Sequence, residues 1–159
     1  ILPYLSNKIN QVKIIGSGPE KKNLINLTKK LSLESFIEFI PFVDDPLPYI
    51  YDSDVGVIPS RWDGFGLVAV EMRSSGLPIL ISDTPGLYNI FSGYNAVYSF
   101  ESGSKDSLKD SLILLINDLD SKKFDIKDLN SELKFYSQEF FIKRYDEFYK
   151  NLDNLLWNF

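Results

Sequence analysis

The chain has 159 residues, 44% of them hydrophobic, and 17 Lys and Arg against 22 Asp and Glu give a net charge of −5. That length is one domain's worth of core. No apolar run reaches the roughly 18 residues of a membrane span, and the acidic surplus argues against nucleic acid, whose binding rests on cationic contacts to phosphate. Cysteine and histidine are both absent, which excludes disulfides, thiolate and Ser-His nucleophiles, and an ordinary zinc site.

No secretory signal is visible and the chain starts at Ile1 rather than Met, so processing or a longer parent chain is expected, with a cytoplasmic location. Val12-Lys13-Ile14-Ile15 predicts a short strand, stopped by Gly16-Ser17-Gly18-Pro19. Pro19 suits the first position of a helix. That helix is expected from Glu20 to Leu31, with Leu24, Leu27 and Leu31 on one face. Phe36 to Ile40 is a second strand, ended by Pro41, and Asp44-Asp45-Pro46 caps a short helix through Tyr49, Ile50 and Tyr51. Asp54 to Ile58 is a third strand. Gly66 to Ser75 is a helix with Gly76 as its C-terminal stop. Pro78 to Ser82 is a fourth strand, Asp83-Thr84-Pro85-Gly86 a turn, and Ala96-Val97-Tyr98 a short fifth strand. From Lys105 the leucines at 108, 112, 115 and 119 keep helical spacing, and a long final segment runs from Asn130 to Phe159.

Short apolar strands alternating with helices predict a Rossmann-like α/β fold, a doubly wound parallel sheet covered on both faces. Ligands of such sheets sit at the carboxyl ends of the strands. The loops at Gly16, Pro41, Pro59 and Asp83 all follow strands, so they should line one edge.

The segment Pro59 to Pro78, PSRWDGFGLVAVEMRSSGLP, is the most informative. A polar loop with two glycines opens into an apolar helix, and Asp63 and Glu71 stand eight positions apart. The first amides of a helix are unpaired and lie at the positive end of its dipole. Glycine lets the backbone approach a ligand, and phosphate or diphosphate is the natural occupant. Glu71, about five residues into the helix, would repel phosphate but suits the hydroxyls of a ribose diol beside it. Asp63 could accept from a second sugar. The bland alternative is that Asp63 caps a turn and Glu71 is a solvated helix acid.

This segment, continued through Ile79-Leu80-Ile81-Ser82-Asp83-Thr84-Pro85-Gly86, resembles the donor-site signature of retaining glycosyltransferases of the GT-B fold, family 4 (glycosyl transferases group 1). Upstream, Val12 to Pro19, Phe39 to Val43 and Ser53-Asp54-Val55 resemble the same family in order and spacing, and the likeness covers about residues 10–120. It implies a C-terminal donor-binding domain over residues 1–120, and C-terminal helices over 121–159 that pack on it or cross to an N-terminal domain. Glu71 would hold the ribose hydroxyls of a UDP- or GDP-hexose. Gly66, Leu67 and Val68 would offer amides to the diphosphate, and Asp63, Gly64 and Phe65 would face the donor sugar. Phe42 and Val43 would flank the base, and Gly16 and Gly18 would border the nucleotide cleft. Asp63 and Glu71 are then the catalytic candidates. The whole enzyme would move a hexose to an acceptor hydroxyl in polysaccharide or glycoconjugate synthesis, with no metal and no cofactor besides the donor. The leaving phosphate would take the acceptor's proton on the same face of the sugar.

The sequence departs from the family at four places. Asp63 stands where Glu is usual, Asn89 where an acid often follows the glycine turn, and Met72 and Arg73 where small residues are common. The family also places an Arg and a Lys on a strand and loop ahead of the first segment seen here. That strand would ordinarily be central in the sheet, and with the acceptor-binding N-terminal domain it would have to come from sequence before Ile1. The fragment alone is expected to bind nucleotide weakly and to turn over nothing.

Other motifs read more plainly. Gly16-Ser17-Gly18-Pro19 lacks the third glycine of a dinucleotide fingerprint. Asp52-Ser53-Asp54 is a literal metal-binding tripeptide, yet it fits a helix-to-strand junction. Ser60 has no His to activate it, so a loop hydrogen bond is expected. The aromatic stripe from Phe135 to Phe159 predicts docking on the core or an interdomain contact, with self-association or peripheral contact with the inner membrane face as minority readings. Partners follow from the resemblance: a nucleotide-sugar donor, an acceptor sugar, lipid or protein bound by another domain, and no nucleic acid. Rival functions are a non-catalytic α/β scaffold or interaction module, and a GT-B fold nucleotide-sugar epimerase.

Overall fold

The computed structural model describes residues 8–124, together with 139, 140, 142–144, 146, 147 and 150. The elements alternate as β1 (Val12–Ile15), α1 (Lys21–Lys30), β2 (Ile37–Ile40), α2 (Leu47–Tyr51), β3 (Gly56–Ile58), α3 (Leu67–Ser74), β4 (Ile79–Ser82), α4 (Pro85–Phe91), β5 (Val97–Phe100) and α5 (Lys105–Asp120). Every strand pair is parallel. Most of the predicted C-terminal aromatic stripe lies outside the described residues.

The strands form two ladders, β1–β2 and β3–β4–β5. In the second, β4 is central: Ile79 faces Gly56 on one side and Val97 on the other. All four of its residues are buried. This is the near-continuous apolar run of a parallel strand covered on both faces. Alternation along β4 divides the core. Ile79 and Ile81 join Ile58, Ala69, Leu87 and Phe91, which places α3 and α4 on one face. Leu80 joins Phe100 and Leu115, which places α5 on the other. The doubly wound expectation therefore holds around β4. Gly56 serves this packing directly: a Cβ there would lie 2.4 Å from Met72 Sδ, so α3 crosses close over β3.

The first ladder is drier at one end than the other. Ile40 is buried, whereas Ile14 and Ile15 are exposed, as is Val57 of β3. The α1 stripe of Leu24, Leu27 and Leu31 is also exposed, at 42%, 50% and 48%, and the buried residue of that helix is Thr28. The predicted apolar face exists, but among the described residues nothing covers it. Polar ties supplement the packing. Lys13 of β1 pairs with Asp52 beyond α2, and Lys8 Nζ donates to Asn117 (3.1 Å) and Asp120 (3.0 Å) of α5.

The remaining differences from the sequence expectation are local. Asp83 to Gly86 is not simply a turn, because Pro85 begins α4 with Thr84 as its extended N-cap. The missed helix carries a start signal, a proline in the first turn. The fifth strand runs to Phe100 rather than ending at Tyr98, since its partner β4 continues to Ser82. The third strand begins at Gly56, not Asp54.

On the outer face, Tyr98 Oη donates to Asp118 of α5, and Lys123 Nζ reaches the same carboxylate at 2.6 Å. Lys123, then Tyr98, holds the Asp118 carboxyl below its ordinary range. Burial, then the bond to Asp118, holds the Tyr98 phenol above its own. Stability from Asp118 is therefore present above roughly pH 4 and lost as pH falls below it. Stability from Tyr98 is present below roughly pH 10 and lost as pH rises beyond it. Thermal unfolding across pH should show a shallower acid limb for Asp118→Asn and a shallower alkaline limb for Tyr98→Phe. The latter should also lose about 1 kcal/mol at neutral pH. Limbs superimposable on those of the unmodified chain would exclude the assignment.

Candidate functional site

Parallel pairing puts the carboxyl ends of β3 and β4 at one edge. Beyond β3 the chain leaves through Pro59 into Ser60–Gly66 and enters α3. Gly66 is the N-cap of α3 with φ +75°, a left-handed conformation that favours glycine. Space demands glycine there too, because a Cβ would sit 2.4 Å from Leu87 Cδ2.

Asp63 organises this loop. Its Oδ1 accepts the backbone N–H of Phe65 at 3.1 Å and of Gly66 at 2.6 Å. Its Oδ2 accepts from Ser60 Oγ at 3.5 Å. An aspartate is the right length to bond its own backbone two and three residues on. The carboxylate is thus turned into its own loop, and Ser60 makes the expected loop hydrogen bond.

Among the described residues, no acceptor meets the amides of Leu67 or Val68. Both are first-turn donors of α3, and both residues are exposed. Glu71 is exposed as well. It lies four positions from Leu67 and three from Val68, on one helix face, and side chains lean toward a helix N-terminus. The free amides and the Glu71 carboxylate therefore share one accessible surface, with Gly64 and Phe65 exposed beside it. Trp62, 84% exposed, stands over the same loop, 3.8 Å from where a Gly64 Cβ would be.

The other candidates belong to the first ladder. Gly16 follows β1 with φ +132°, and its N–H bonds Ile40 O at 3.1 Å, which ties the two loop starts together. Gly18 is exposed, and a Cβ on either glycine would meet nothing within 4 Å. Beyond β2, Phe42 is 69% exposed and Val43 is half-buried. Among the described residues no hydrogen bond or ion pair joins these four to the Asp63–Glu71 segment. Asp52, half of the literal metal tripeptide, is engaged by Lys13.

Sequence reasoning missed the support beneath the loop. Ser82, at the end of β4, donates from Oγ to Ser60 O at 2.6 Å. Gly86, in the first turn of α4, lies against the Asp63 carbonyl. Arg73, noted only as a departure, is fully buried, and its Nη1 donates to Leu77 O at 3.5 Å.

The model of the family described as "Glycosyl transferases group 1" matches residues 2–128. The chain belongs to that family. A relative, the O-antigen biosynthesis glycosyltransferase WclY of Escherichia coli, is 40% identical over 78 residues, which are 49% of this chain and 22% of that protein. The matched stretch is thus less than a quarter of the length of that relative. Among solved structures, sucrose-phosphate synthase from Thermosynechococcus elongatus superimposes with a TM-score of 0.77 at 19% identity, over 91% of this chain and 39% of that one. An S. aureus TarM mutant in complex with UDP, among other ligands, gives a TM-score of 0.73 at 21% identity, over 86% of this chain and 28% of that one. These likenesses show the same fold. The expected fold family is therefore shown, and with it the Rossmann-like architecture of this group 1 glycosyltransferase chain.

Asp63 makes a specific demand on stability. Asp63→Ala removes the acceptor of two backbone donors and should cost about 1 kcal/mol, whereas Asp63→Asn keeps an acceptor in place and should cost a few tenths. Chemical denaturation of both variants measures this. Equal losses would show that the carboxylate does not cap the loop.

Proposed function

We propose that this chain is the donor-binding domain of a retaining glycosyltransferase that moves a hexose from a nucleoside diphosphate to an acceptor hydroxyl. The observation that carries the reading is the shared exposed face of the Leu67 and Val68 amides and the Glu71 carboxylate. Unpaired amides at a dipole's positive end suit a diphosphate, and an acceptor-only carboxylate one turn away suits a ribose diol. The name of the E. coli relative favours O-antigen or related polysaccharide synthesis, and the UDP in the TarM structure favours a nucleotide ligand.

In this reading the Leu67 and Val68 amides receive the diphosphate and Glu71 holds the ribose. Gly66, whose own N–H is held by Asp63 rather than free as the sequence led one to expect, lets the backbone come close. Gly64 and Phe65 face the sugar, as does Asp63 through Oδ2, whose bond from Ser60 is long at 3.5 Å. Phe42 and Val43 flank the base, and Gly16 and Gly18 border the cleft. The acceptor oxygen bonds the anomeric carbon on the face from which the diphosphate departs, and its proton passes to the leaving phosphate. The chain contributes position and charge stabilisation, a division of labour that needs neither a histidine nor a metal. Acceptor binding, and the cations for the leaving phosphate, fall in this reading to the rest of the full-length enzyme.

Titration of the full-length protein with UDP, GDP and ADP tests the proposal. At least one should bind, and Glu71→Ala should weaken it about 10- to 100-fold, the worth of a hydrogen bond to a charged group. No binding of any of the three would overturn it.

A further inference from the structure

Three of the glycines singled out by the sequence pattern have room for a side chain. A Cβ on Gly16 or Gly18 would meet nothing within 4 Å, and on Gly64 only Trp62 at 3.8 Å. Gly86 differs. Its φ is not in the left-handed region, yet a Cβ there would fall 1.8 Å from Asp63 O, 2.6 Å from Asp63 C and 2.9 Å from Gly64 C. These are backbone atoms and cannot rotate aside. The demand for glycine is purely spatial, and it comes from the loop that carries Asp63.

Two further contacts press the same pair of segments together. Ser82, fully buried, donates to Ser60 O at 2.6 Å and lies 3.4 Å from Thr84 Oγ1, also buried. Leu87 and Phe91, the next core residues of α4, pack against Gly66. The start, middle and end of the Ser60–Gly66 loop therefore each rest on the corner between β4 and α4.

We infer that this corner, through Ser82 and Gly86, holds the donor loop in its binding shape, so that both are positioning residues for the site although they act only through the loop. The inference rests on the proposed reading of the α3 N-terminus as the diphosphate site. A methyl group on Gly86 forces Asp63 O back by about 1 Å, since a Cβ essentially never approaches within 3.0 Å. Asp63 also caps Phe65 and Gly66, so its displacement is passed to the amides at the head of α3. A misplacement of that size can cost on the order of 100-fold in a well-positioned site.

The test compares Gly86→Ala with Gly56→Ala in the full-length protein. Gly56→Ala also crowds the core, but against the end of the Met72 side chain and in β3 rather than the loop. UDP, GDP and ADP affinities, thermal midpoint and amide hydrogen exchange over 59–68 are read for each. Gly86→Ala should lose on the order of 100-fold in nucleotide affinity and exchange faster over 59–68. Gly56→Ala should lower the midpoint with affinity and loop exchange unchanged. If Gly86→Ala does not fold, Ser82→Ala deletes one hydroxyl and should lose about fivefold, the worth of one hydrogen bond, again with faster loop exchange. Equal affinity losses in the two glycine variants, or unchanged loop exchange in Gly86→Ala or its Ser82→Ala substitute, overturn the inference. If the unmodified protein binds none of the three nucleotides, the diphosphate reading falls instead, and loop exchange alone decides whether the corner holds the loop.

Discussion

Burial of β4 on every side is the constraint from which the rest follows. Ile79 and Ile81 point into one layer and Leu80 into the other. The strand needs β3 and β5 for its hydrogen bonds, and α3, α4 and α5 to exclude water. Once those helices are seated, the carboxyl ends of β3 and β4 must discharge their chains into the same narrow space. The loop that heads α3 and the first turn of α4 are therefore neighbours by topology, and their chemistry is fitted to that closeness.

Much of this was legible in the residues. The apolar runs at 12–15, 37–40 and 79–82, the glycine stops and the alternation of periods pointed to parallel α/β architecture. The Asp63–Glu71 segment pointed to the family. What stayed hidden was whatever depends on space rather than on pattern. Nothing in Thr84-Pro85-Gly86 announces that Gly86 abuts a carbonyl 23 positions away in sequence. A glycine reads the same whether φ, a ligand or a neighbouring backbone requires it. The leucines of α1 show the converse: periodicity correctly gave a helix with an apolar face but not the cover of that face, because cover is a tertiary property.

The single methylene between aspartate and glutamate gains a structural meaning. A longer side chain at this position can project toward a ligand. Asp63 instead folds back onto the Phe65 and Gly66 amides and uses its charge to close a turn. One carboxylate then neutralises two donors that would otherwise compete for solvent or anion. The donors left over at the head of α3 are those of Leu67 and Val68. A departure from the family pattern has become part of the frame of the site.

The two-ladder arrangement has a consequence for the behaviour of the molecule. Among the described residues β1 is paired only with β2, and β3 only with β4. Each therefore has one edge with no strand beside it among those residues, next to the exposed Ile14, Ile15 and Val57 side chains. Open parallel edges of this kind are templates for strand addition and aggregation. Colloidal stability, as much as ligand binding, thus depends on what lies alongside those two short strands.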